Sequence, residues 1–423
     1  MRQFFPIRPN WQYFTYTYAL FAAGFFFLTR SKYHNLFYYL MLLTPYIVVF
    51  STHRFRALFE STIFKLAAAY LLMVAVSVLW GSPPEPRELS KYLFHFLYLT
   101  AFIALTIELS LHSRDFLDKT LKAILISAAF WAPVAIALFY QDAQWSERLS
   151  GVGRLVNPVS GSTVYGMVAL ICFYMYIEHD EFTTKWRSFA LAVGALCIAY
   201  MILTQTRGTV IGIFLALLLY TLFSHRWKIA LTVIAAGATL GFLFFVGIFP
   251  PELVLARGMS YRPEIWSIAL TYILDNPWIG HGAEFGVAYE VSKNVTINSH
   301  THNAFINSLL YVGIAGTILL LMAIAQSLRY TRTSNNRLAF MLLVYAIIDL
   351  SLNGYKLLDH PQVGWLYFWF PIALAATSEL RQKLPQHYQH WLRDTPSTAV
   401  NPTSATSRIA EEGSITPCTK TIY

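Results

Sequence analysis

A histidine-rich run and a set of isolated arginines are the groups here with types and spacing suited to chemistry. Ser299-His300-Thr301-His302-Asn303 places two imidazoles at the mouth of a long apolar stretch. A histidine with its ordinary pKa of about 6.5 can take or give a proton near neutral pH. Arg207 lies in the turn Thr204-Gln205-Thr206-Arg207-Gly208 between two apolar runs. At membrane depth such a charge costs about 2.5 to 3.5 kcal/mol on insertion scales, so it calls for a reason. Arg262 opens a helical pattern whose first turn is marked by Pro263, where unpaired backbone N–H groups face any bound anion. Arg257, and Arg154 in Gly151-Val-Gly-Arg-Leu-Val-Asn157-Pro158, carry weaker forms of the same pattern. Guanidinium groups make planar, bidentate contacts to phosphate oxygens, so together these cations suit a polyanionic head group. The structural alternatives are a snorkelling Arg207, a solvated Arg262 and a purely structural histidine pair.

The histidine spacing adds one inference. Gly313, the first glycine of Gly313-Ile-Ala-Gly316, follows His302 by eleven positions, and at about 100° per residue it returns to within about 20° of the same helical face. Glycines on that face would let a neighbouring helix approach closely and hold the imidazole still. A His-x-His metal pair would need an extended backbone and further ligands, which the neighbouring sequence does not offer. No Asp-x-Asp occurs, and the acidic cluster Glu178-His-Asp180-Glu181 falls on the opposite expected side, so metal-dependent transfer at this face lacks its usual carboxylates. There is no Walker-type loop, so ATP is not implied. Asp349, with Lys356, Asp359 and His360 beyond it, reads as structural pairing. The sequon Asn294-Val-Thr296 is compatible with an outward-facing segment.

These residues must be positioned by membrane-embedded helices. Of the 423 residues 56% are hydrophobic and only 13% charged, against roughly 25% charged in soluble domains. At roughly 20 apolar residues per crossing, the chain offers about twelve spans, near 12–29, 35–51, 62–80, 92–110, 121–140, 161–178, 188–205, 209–224, 229–249, 303–326, 338–353 and 362–378. The apolar stretch 188–224 would be about 55 Å long as one helix, so it must turn at Thr204–Gly208. The fold class is therefore all-α: a polytopic integral membrane protein. Residues 1–378 form one transmembrane domain, and 379–423 form a polar cytoplasmic tail that reads as disordered. More of the 31 Lys and Arg residues fall on the inner segments when both termini are cytoplasmic, as the positive-inside rule requires. The first span reads as a retained signal anchor. Residues 250–302 form one long outer loop, a length that usually marks function. Within it, 260–274 carries a Ser cap, Pro in the first turn and the stripe Ile265, Trp266, Ala269, Leu270 and Ile273, a short interfacial helix. Asn276-Pro-Trp-Ile-Gly280-His-Gly282 ends it. The three cysteines imply no disulfide framework.

The motif His302-Asn303, nine residues, Gly313-x-x-Gly316 resembles the signature of bacterial O-antigen ligases. Thr206-Arg207-Gly208, Arg262-Pro-Glu-Ile-Trp266 and Asn276-Pro-x-x-Gly280-x-Gly282 are similar to the pattern those ligases share with O-antigen polymerases and protein O-oligosaccharyltransferases. The resemblance covers roughly 204–316. It implies a twelve-helix enzyme of the bacterial inner membrane that moves glycan from undecaprenyl diphosphate to a sugar of the lipid A core, with its site facing the periplasm. It implies His302 as general base and Arg207 and Arg262 as diphosphate ligands. Arg154, Arg257, His300 and Asn303 are possible substrate contacts, and Gly313 and Gly316 pack the site. Inversion at the anomeric carbon follows from a single displacement, with no metal, ATP or other cofactor. Polymerisation or transfer to protein uses the same donor chemistry and is the nearest alternative. A lipid-linked glycan transporter is the alternative from another class, but the chain shows no internal repeat.

Overall fold

The computed structural model describes residues 9–81, 86–178, 182–245, 261–292, 295–298, 300–354 and 356–383. Arg257, the sequon residue Asn294 and the tail beyond Lys383 lie outside them. Among the described residues six helices are long and apolar enough to cross a membrane: Thr62–Leu79, Leu89–His112, Phe116–Tyr140, Pro158–Ile177, Thr184–Leu203 and Ala304–Thr333. Further apolar helices include Trp11–Phe27, Arg207–Phe223, Arg337–Asn353 and Phe370–Lys383. Side chains such as Phe130, Leu191, Ile202 and Leu219 stand exposed on these helices, a surface that belongs in lipid rather than water. This is a membrane protein.

Asparagine starts several of the helices. Asn10, Asn157, Asn303 and Asn336 each accept a backbone N–H of the first turn, the role in which Asn is strongest. Helix 158–177 packs on 184–203, 207–223 on 337–353, and 304–333 on 62–76. The stretch 188–224 does divide at the Thr204–Gly208 turn, with one helix ending at Leu203 and the next starting at Arg207.

Helices 158–177 and 207–223 start, and helix 337–353 ends, at one face of the bundle. Their other ends carry an ion cluster. Glu178 accepts from Arg337 Nη1 at 2.8 Å, Arg226 Nη2 at 3.0 Å and the Tyr220 hydroxyl at 2.6 Å. Burial alone would raise this carboxyl, but the bonds from Tyr220 and Arg337 outweigh it and hold it below the ordinary range. The final helix runs on to Lys383, past the point where the sequence turns polar. The reason is Glu379, a buried carboxylate that accepts from Ser61 Oγ and from the first backbone N–H groups of helix 62–76, as a capping carboxylate does.

Candidate active site

The loop helix spans Arg262–Asp275. It starts two residues later than the expected Ser cap: Tyr261 precedes it in the left-handed conformation (φ 55°), and no side chain caps it. Ile265, Ala269 and Ile273 are buried against Leu310 and Val287. Leu270 and Leu274 face outward, so the buried stripe is narrower than the apolar pattern. Trp266 has a separate task, its Nε1 donating to the Thr301 carbonyl at 2.8 Å.

That bond pins the histidine run. Thr301 is fully buried, with Oγ1 2.8 Å from Asn303 O and 3.0 Å from Asn307 Oδ1. Asn303 caps the following helix by accepting from Phe305 N and Ile306 N. Between them His302 adopts φ 54°, an uncommon conformation outside glycine that structures retain where the surroundings enforce it. Its ring lies 4.4 Å from that of His300. Burial, reinforced by the nearby Arg262, holds His302 below its ordinary pKa. Burial, with His302 and Lys356, pushes His300 down to about 4. Both imidazoles are therefore neutral at pH 7, the form that can accept a proton.

The helix that follows corrects the expected geometry. It begins at Ala304, after His302, and is interrupted at Gly313 (φ 61°, ψ −162°), so no continuous helical phase relates the two residues. What approaches Gly313 is a loop rather than a helix. A Cβ there would fall 2.4 Å from the Trp278 carbonyl carbon. The backbone groups freed by the break are paired across this contact: Ile314 N donates to Pro277 O at 2.8 Å and Ala315 N to Trp278 O at 3.1 Å, while His281 N donates to Leu310 O at 2.7 Å. Asn276-Pro-x-x-Gly280-x-Gly282 and Gly313 are thus two halves of one backbone clasp. Gly316 lies against Val312 of its own helix and Met73 of helix 62–76.

Arg207 and Arg262 are each the first residue of a helix that lacks a side-chain cap, so both sit among first-turn N–H groups suited to an anion. The Arg207 turn is braced by Arg148, whose Nε donates to Thr204 O at 2.6 Å and Nη2 to Thr206 Oγ1 at 2.8 Å. Arg262 is half-buried, its Nη2 donates to Asn353 Oδ1 at 3.2 Å, and its Nε is buried without a partner. Burial lowers its pKa and Asp349 opposes the shift. Asn353 also lies over Gly208, where a Cβ would fall 2.6 Å from Nδ2. The Arg207 turn, Arg262 and, through Trp266, the histidine run are therefore held in one assembly.

Arg154 is placed differently. Its Nη2 donates to Pro361 O at 2.6 Å, its guanidinium lies 5.8 Å from the Phe25 ring, and Nε and Nη1 are buried without partners. Pro361 belongs to the segment that bounds a cavity of about 100 Å3, lined among others by Ser160, Thr163, Asp349, Asn353, Lys356 and Asp359. His95, Asp359 and His360 bring potential metal-ligand atoms within 4.8 Å of one another. Asp359 is already engaged there, accepting from His360 Nδ1 at 2.5 Å, His360 N at 2.7 Å and Gln362 Nε2 at 2.5 Å.

Residues 192–321 match the model of the O-antigen ligase family. Over 377 residues the chain is also 29% identical to the O-antigen ligase of Pseudomonas aeruginosa, across 86% of this chain and 90% of that protein. The chain is thus similar to O-antigen ligases over most of its length. O-antigen ligases are enzymes, and the similarity marks the chain as one acting in lipopolysaccharide biosynthesis. The family match takes in Arg207, Arg262, His300, His302, Asn303, Gly313 and Gly316. Arg148, Asp349, Asn353 and Lys356 lie outside it, and none was singled out as a site residue by sequence. The one available signal was Asp349, an acid inside an apolar run; the polar residue four positions on shares its helix face.

Proposed function

We propose that this protein transfers O-antigen glycan from undecaprenyl diphosphate to a sugar hydroxyl of the lipid A core. The reading places the site at the periplasmic face of a bundle of about twelve spans, with both termini cytoplasmic. Arg207 and Arg262, with the uncapped helix starts they head, bind the diphosphate and offset charge developing on the leaving group. His302 removes the acceptor proton as the hydroxyl oxygen attacks the anomeric carbon. The carbon–oxygen bond to the diphosphate breaks in the same displacement, which inverts that centre.

The observation that carries the reading is the pairing of Arg262 with His302. An arginine with a buried, unpartnered Nε heads the loop helix, and Trp266, four residues on in that helix, holds Thr301 beside His302 through a hydrogen bond of 2.8 Å. A buried donor without a partner calls for a ligand, and a neutral imidazole beside it is the protonation state a base needs. Diphosphate is already a competent leaving group, so the scheme assigns no step to ATP or a metal.

The test is reconstitution in detergent with undecaprenyl-diphosphate-linked glycan, lipid A core and a chelator, without ATP. Glycan on the core is the expected product. Longer chains still on the polyprenyl carrier would make the protein a polymerase, and activity restored only by divalent metal would overturn the mechanism.

A further inference from the structure

Asn353 ends helix 337–353, and its side chain meets three different elements. Oδ1 accepts from Arg262 Nη2 at 3.2 Å, and Nδ2 donates to Asp349 Oδ1 at 2.9 Å. The amide also rests on Gly208, the residue after Arg207, so closely that a Cβ at 208 would lie 2.6 Å from Nδ2. Asp349 is itself fixed, its Oδ2 accepting from Thr163 Oγ1 at 3.0 Å, and Tyr345 OH donates to Thr163 O at 2.9 Å. The order acid, amide, guanidinium is chemically directed. A carboxylate accepts from the amide N–H, which leaves the amide oxygen facing Arg262.

We infer that Asn353 is the positioning residue of the donor site: it aims the Arg262 guanidinium while keeping Asp349 one residue away from it. This rests on the reading of Arg262 as a diphosphate ligand. A carboxylate in direct contact would grip the guanidinium by charge-assisted, bidentate bonds and compete with the incoming phosphate. A neutral amide holds one Nη and leaves the charge and the remaining N–H groups to the donor. The close contact at Gly208 ties the same amide to the Arg207 turn, so one side chain sets both cations.

The discriminating variant is the exchange Asp349→Asn with Asn353→Asp, which keeps net charge, side-chain size and the number of hydrogen bonds but moves the carboxylate onto Arg262. Its thermal unfolding midpoint is expected to stay near wild type while the donor KM rises roughly tenfold to a hundredfold, in the range lost with a charge-assisted bond, and kcat changes less. Asn353→Ala and Gly208→Ala should each raise donor KM, and the double variant should be no worse than the poorer single one, because both act through one amide. Arg262→Ala is the control on the parent reading. If it leaves donor KM unchanged, the diphosphate assignment fails. If it raises KM while the exchange variant keeps a wild-type KM, or if Asn353→Ala and Gly208→Ala combine additively, the positioning role alone fails.

Discussion

His302 is competent as a base only while neutral, and its surroundings extend the pH range over which it is. Burial and Arg262 lower its pKa from the ordinary 6.5, so the acid limb of kcat/KM should fall below that value, with activity lost as pH drops through it. Moving Arg262 away reverses one of the two causes. In Arg262→Gln the limb should shift upward toward 6.5, measured from the pH profile at subsaturating donor. His302→Ala removes the base altogether and should lower kcat and kcat/KM together by on the order of a hundredfold or more. A well-folded His302→Ala protein within a few-fold of wild type would leave the imidazole without a catalytic role. Arg262→Lys keeps the charge but not the planar fork, so donor KM should rise by about tenfold with less change in kcat. A wild-type KM in that variant would show that charge alone suffices.

The elements place these residues by backbone contact more than by helical phase. Gly313 holds a conformation essentially reserved to glycine, with the Trp278 backbone where a Cβ would be. Gly313→Ala should therefore destabilise the protein by about 1 to 3 kcal/mol, seen as a lowered thermal midpoint in detergent, and should loosen the clasp that ends the loop helix. Trp266→Phe removes the bond to Thr301 while keeping the ring. It should lower kcat with little loss of stability, and full activity in that variant would mean the histidine run is held by its Thr301 and Asn307 contacts alone. The sequence already pointed to the loop helix, the turn before Arg207 and the histidine run, because caps, prolines and glycines act locally. It did not reveal that Gly280 and Gly313 face one another, since glycine spacing reads equally well as a helical face. Nor did it reveal Asn353, which reaches Arg262 across 91 positions and Gly208 across still more. Such neighbours are created by packing, and a polar residue at the end of an apolar helix is unremarkable until its partners are seen.

At the scale of the whole molecule the argument turns on which ends of the helices face outward. The candidate site gathers at the starts of helices 158–177 and 207–223, and the Glu178 ion cluster with Arg226 and Arg337 gathers at their far ends. Helix 158–177 has 20 residues, or roughly 30 Å at 1.5 Å per residue, the thickness of a hydrocarbon core. Site and ion cluster should therefore lie on opposite sides of the membrane, and the Lys and Arg count over all the inner segments favours the cytoplasm for the ion-cluster end. Two exposed positions separate the possibilities. Ser146 accompanies the Arg207 turn, its carbonyl accepting from Gln205 Nε2 at 3.0 Å, and Asn335 precedes Arg337 in the turn between the last two long helices. Cys172 and Cys197 are buried, so with Cys418 replaced by Ser a single introduced thiol reports alone. In intact cells with a permeabilised outer membrane, an impermeant maleimide should label Ser146→Cys and spare Asn335→Cys until the inner membrane is opened. The reverse pattern would put Arg207, Arg262 and His302 on the cytoplasmic side and overturn the proposed periplasmic site.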